Sequence, residues 1–169
     1  GKLTDQLAKY AKRGAIAMGT AITAAMVSGV KYNAQMEQYY QSFKTMLGST
    51  KEATKHMRML KKFAAETPFE MTDLANASQT LLAFGENVNL IEGDLKMLGD
   101  ISLGNKEKFS ALALVFGQVK SQGRLMGQDL LQMINAGFNP LTIISKKTGK
   151  SMAQLKDEMA KGQITFDMV

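Results

Sequence analysis

The sequence predicts an all-α fold: an array of short, glycine-terminated helices packed in one domain, with a longer apolar and basic helix at the N-terminus. Two observations lead there. Glycines recur at helix-sized intervals, nearly every one after an apolar-periodic run, and Ser, Thr or Asn cap signals open several of the runs. A chain of 169 residues that is 45% hydrophobic and 21% charged can also bury a core of its own.

The periodicity places helices at 2–30, 33–47, 50–65, 68–84, 90–102, 106–122, 127–136, 140–148 and 152–161. In the first, Gly14 to Val30 is uncharged and bracketed by Lys12–Arg13 and Lys31. Seventeen helical residues span roughly 25 Å, short of a ~30 Å hydrocarbon core. Most of its positions are Gly, Ala, Ser or Thr, which argues against a strong membrane span. Ala17, Ala21, Ala25 and Gly29 form a small-xxx-small ladder suited to close packing on protein, a symmetry mate included, with conditional membrane insertion as the alternative. The second helix carries Tyr39, Tyr40 and Phe43, residues at home in strands, yet Met36, Tyr40, Phe43 and Leu47 keep helical spacing.

Start signals mark the later elements. Ser49 with Glu52 and Ser151 with Gln154 make capping-box pairs, and Asn139 precedes Pro140. In TPFEMTDLANASQTLLAFG, Thr67 is expected to cap a helix that Pro68 begins, with Glu70 closing the box and Gly85 ending it. Gly48, Gly123, Gly137, Gly149 and Gly162 read as further left-handed stops. Residues 63–169 hold complete capping signals and are expected to fold without residues 1–31. The chain therefore divides at 1–31, a basic small-residue helix, and 32–169, a helical domain. It begins with Gly and stops at TFDMV, where a further helix is expected to begin, so it reads as a piece of a longer protein.

Charge is unevenly placed. Residues 1–62 hold 11 Lys or Arg against 3 Asp or Glu, whereas residues 63–169 hold 10 against 12. The basic third reads first as a solvated helix face, and otherwise as a surface for DNA phosphates or anionic lipid.

Catalytic chemistry is poorly represented. The absence of Cys excludes disulfides, thiolate metal sites and cysteine nucleophiles. The single histidine, His56, lies in KHMRML and reads as a surface or boundary helix residue. Glu66, Glu70 and Asp73 could pair as carboxylates, but acids at a helix start stabilise its positive end. Gly117, Gly123 and Gly127 lack the lysine and preceding strand of a phosphate loop, and Asp129 favours the dipole of a helix starting near Gly127. The 13 methionines, spread over almost every helix, read as adaptable core filler or as surfaces that repack. No catalytic, cofactor-binding or metal residue is assigned.

The order of fragments is more specific than any one of them. From about Asn33, the aromatic run Tyr39, Tyr40 and Phe43 leads through LGS to FAAETPFE at Phe63–Glu70 and LLAFG at Leu81–Gly85. LGDIS, QGRLMGQDLLQMINAGFNPL at Gln122–Leu141 and SMAQLKDEMAKGQIT follow. This order resembles the conserved domain of tailed-phage tape measure proteins. The matching residues Thr67, Pro68, Phe69, Glu70, Leu81, Gly85, Gly123, Gly127, Asp129, Leu130, Gly137 and Pro140 look architectural. The resemblance implies a structural protein, not an enzyme, without cofactor or small-molecule substrate. It implies that copies of the chain nucleate the tail tube with tail-tube and tail-tip or initiator proteins, set tail length and leave on DNA ejection. Assembly would take place in the bacterial host cytoplasm and the final location would be the tail-tube lumen, with transient membrane or DNA contact through the basic segment. The glycine spacing reads as a folded module beside the ruler. A membrane-active helical module and a DNA-binding helical domain are the competing classes.

Overall fold

The computed structural model describes residues 29–169. Every element in this span is helical: α1 (29–47), α2 (Thr50–Glu66), α3 (Met71–Ala83), α4 (Ile91–Ser102), α5 (Lys106–Gln122), α6 (Gly127–Asn135), α7 (Pro140–Thr148) and α8 (Met152–Ala160), then a 3-10 turn (Phe166–Met168) where TFDMV suggested a further helix. The protein is all-α, and no strand occurs among the described residues. The chain forms two compact units, residues 1–42 and residues 43–169. In the first unit, α1 runs through Lys31 and Tyr32 without the break expected there. No Pro stands at that point, and Gly29 stays within the helix. Ala17, Ala21 and Ala25 lie outside the described residues.

In the second unit α5 is the central helix, packed against α3, α4 and α6. Its sequence explains this position, because FSALALVFGQV is apolar nearly all round and buries Phe109, Leu112, Val115, Phe116 and Val119. Phe109 stacks on Phe69 with ring centroids 4.3 Å apart. Toward the C-terminus, Leu125, Leu130, Met133, Leu141, Ile144, Leu155 and Ile164 close around Val115 and Val119. The last residues are pinned by backbone bonds from Leu125 N to Ile164 O (2.8 Å) and from Phe166 N to Gly123 O (3.0 Å).

Three caps form where the sequence places them, at Ser49, Asn139 and Ser151, and Asn105 adds a fourth. Side chains of Ser49, Asn105, Asn139 and Ser151 accept from the backbone N–H groups of Glu52, Lys108, Leu141 and Gln154. Gly48, Gly85, Gly123, Gly137, Gly149 and Gly162 all have positive φ.

Five points depart from the expectations or add to them. First, α3 begins at Met71, three residues later than expected, and its cap position is Glu70, whose N–H donates to the Asp73 carboxylate at 2.9 Å. Thr67 instead ends α2, its hydroxyl donating to Phe63 O at 2.9 Å. Pro68 keeps Thr67 extended at φ −133°, ψ 166°, which ends α2 there, and the Glu70–Asp73 bond opens α3 in place of a Thr67 cap. Second, α4 ends through left-handed Leu103 (φ 53°), followed by left-handed Gly104. Third, His56 is buried, because Ala53, His56 and Leu60 share one helical face of α2 that turns inward. Fourth, that same face and Phe43 belong to the core, so residues 63–169 do not contain it whole. Fifth, among the described methionines Met71 and Met133 are core residues, whereas Met46, Met97, Met126, Met152 and Met168 are exposed.

Candidate functional site

The motif residues fall into two groups. In the first, the Thr67–Phe69 turn, residues Glu92, Lys96, Gly99 and Asp100 of α4, and Leu103 at its end line a groove of about 580 Å³. Phe69 is buried, and a Cβ on Gly99 would meet its ring at 3.1 Å, so helix and turn are in close contact. Beside the groove, the Lys106 ammonium donates to Glu70 at 2.5 Å and lies 3.3 Å from Asp73, tying the start of α3 to the start of α5. Hydrogen bonding to Glu70 holds the ammonium above its usual range. Glu66 pairs instead with Lys62 on its own helix. These acids are structural partners of cations and caps. Leu81 is fully buried on α3, and Gly85 follows that helix.

The second group lies around the α5–α6 connection. Gly123 is the left-handed cap of α5, and Gly127 opens α6. Asp129 is buried at the α6 start, where its carboxylate accepts from Met126 N–H at 3.0 Å. Leu130 points into the C-terminal core, while Gly137 ends α6 and Pro140 occupies the first turn of α7.

Two polar features escaped the sequence reading. His56 Nε2 lies 2.6 Å from Ser78 Oγ, with Phe43 set edge-on to the imidazole at 4.6 Å. Burial depresses its pKa to about 4, so the ring is neutral near pH 7. A serine beside a histidine suggests a nucleophile and its base, but Ser78 is wholly buried and does not line the cavity of about 140 Å³ that His56 borders. The inward position of Ala53, His56 and Leu60 was the signal that could have located this residue. The second feature joins Glu86, buried after α3, to Lys120 on α5 at 3.4 Å. The Lys120 ammonium also sits 4.6 Å over the Phe166 ring. Asp94 of α4 has one buried carboxylate oxygen without a partner. Burial, then the charge of Glu86, raise its pKa to about 6 against the opposing pull of Lys120. Neither contiguous sequence nor spacing connects positions 86, 94 and 120.

Among the described residues no three His, Asp or Glu side chains come together as metal ligands. What the geometry builds is a set of helix junctions. The family model described as tape measure protein matches residues 27–169, which is most of the chain. The chain belongs to the tape measure protein family. No curated protein and no solved structure matches it. Both motif groups of this tape measure domain lie inside the matched span, whereas Ala17, Ala21 and Ala25 precede it. Tape measure proteins are structural components of phage tails, and the role of this chain is accordingly structural. No helix among the described residues is long and apolar enough to cross a membrane.

Proposed function

We propose that this tape measure domain works in the tail-tube lumen as a folded assembly module, nucleating tube polymerisation together with tail-tube and tail-tip proteins. The ruler that sets length is other, extended sequence, and the module leaves with it when DNA is ejected. One observation carries the reading. Within the span matched by the family, the successive helices α2 to α8 are only 9 to 17 residues long, most of them are followed by a left-handed residue, and α3, α4 and α6 pack on α5 instead of continuing as a rod. A single 17-residue helix is about 26 Å long, far less than a straight helix of the whole matched span would measure.

The matching motif residues then serve architecture: caps, stops and the packing of α3, α5 and α6. The ladder Ala17, Ala21, Ala25 and Gly29 brings copies of the chain together before or during tube assembly. The test is removal of the sequence for residues 43–169 from the phage gene. Loss of tail tubes, with heads still made, is expected; tubes of normal number and length would refute the assembly role.

A further inference from the structure

Leu103 is the one non-glycine residue among the described residues with positive φ, and it is 89% exposed. Left-handed backbone is unfavourable for leucine because its Cβ crowds the following carbonyl, and here no burial of the side chain compensates. Backbone outliers of this kind gather where ligands and partners are held. Leu103 stands at the lip of the groove between the Thr67–Phe69 turn and α4, whose volume of about 580 Å³ accommodates several side chains of an incoming segment. The rim is acidic, with Glu92 and Asp100 against Lys96 and with Glu66 shared with Lys62 of its own helix.

We propose that this groove receives the basic segment at residues 2–13 of a second copy of the chain, with Leu103 as its apolar contact. The segment KLTDQLAKYAKR carries Lys2, Lys9, Lys12 and Arg13 against Asp5, opposite in sign to the rim. Leu3, Leu7 and Tyr10 recur at the spacing of one helical face and supply apolar side chains for the groove. The charge split of the chain, basic before residue 63 and net acidic after it, makes a head-to-tail pairing of copies self-complementary. This rests on the reading that copies of the tape measure protein meet during assembly.

Sedimentation of the full chain tests it without any tail-assembly readout, so its failure is separable from failure of the assembly role. Association at low salt that weakens as salt rises is expected. Leu103→Gly relieves the backbone strain and so keeps the fold, and it should weaken association about tenfold or more. Glu92→Lys with Asp100→Lys should weaken it too, as should Lys9→Glu with Lys12→Glu, and mixing these two charge-reversed proteins should restore it. A monomer at every concentration, or association indifferent to Leu103→Gly and to both charge reversals, would overturn the proposal.

Discussion

Gly117 lies directly against Phe84: a Cβ added to the glycine would stand 2.5 Å from ring atom Cδ2 and 3.1 Å from the Phe84 Cβ. Because the second of these atoms is fixed by the backbone, rotating the ring does not clear the space. The glycine therefore sets how closely the end of α3 approaches α5, the helix on which α3, α4 and α6 all pack.

Gly117→Ala should destabilise the domain by about 1–3 kcal/mol through overpacking, a cost larger than the helix-propensity gain of at most about 1 kcal/mol. Gly93, inside α4 with nothing within 4 Å of its Cβ position, is the control. Gly93→Ala should stabilise by up to about 1 kcal/mol. Thermal melts of the two variants should move in opposite directions. Shifts of the same sign would show that the close approach at Gly117 does not govern the result.

Two buried groups should oppose one another in pH dependence. His56 titrates at about 4 in the folded chain against 6.5 for a free imidazole, so between those values the unfolded chain binds more protons and stability rises with pH. Asp94 is raised from 3.8 to about 6, so there the folded chain binds more protons; its contribution is complete below 3.8 and is lost as pH rises through 6. The two windows nearly coincide and the slopes cancel. Asp94→Asn should leave urea midpoints that climb across this range, and His56→Gln should leave midpoints that fall. Identical pH profiles for both variants would contradict the assignment.

Residues 43–169 should unfold as one cooperative unit, since Phe43, His56, Leu60 and Leu74 are all buried in it. A fragment of residues 63–169 loses the α2 face and the His56–Ser78 bond, and uncovers the α3 residues that α2 packs against. Calorimetry should show a sharp transition for the first fragment and a broad or absent one for the second. A sharp transition for both would make α2 dispensable.

From α2 to α8 the helices and most of their stops could be read from the sequence because capping is local: Ser49, Asn139 and Ser151 each act within three residues of their own position. The α3 start was misplaced because Thr67–Pro68 satisfies two start signals at once, whereas the cap that forms rests on Asp73, a carboxylate three residues after Glu70. Leu103 was unreadable, since no local signal marks a leucine for left-handed backbone. The Glu86–Lys120 pair and the unpartnered Asp94 oxygen depend on three segments meeting in space, and the groove joins a turn at 67–69 to a helix end at 103, which only packing can bring together.

The central claim is that this span is a folded module and not a length of ruler, and the most direct measurement is tail length after in-frame deletion of residues 106–122, the α5 helix. A straight helical ruler would shorten by about 26 Å for those 17 residues. In the folded module the cut removes the packing partner of α3, α4 and α6, a loss well beyond a total stability of ~5–15 kcal/mol. Electron micrographs should then show tails absent or irregular in length. A uniform population of infectious particles with tails about 26 Å shorter would contradict the account.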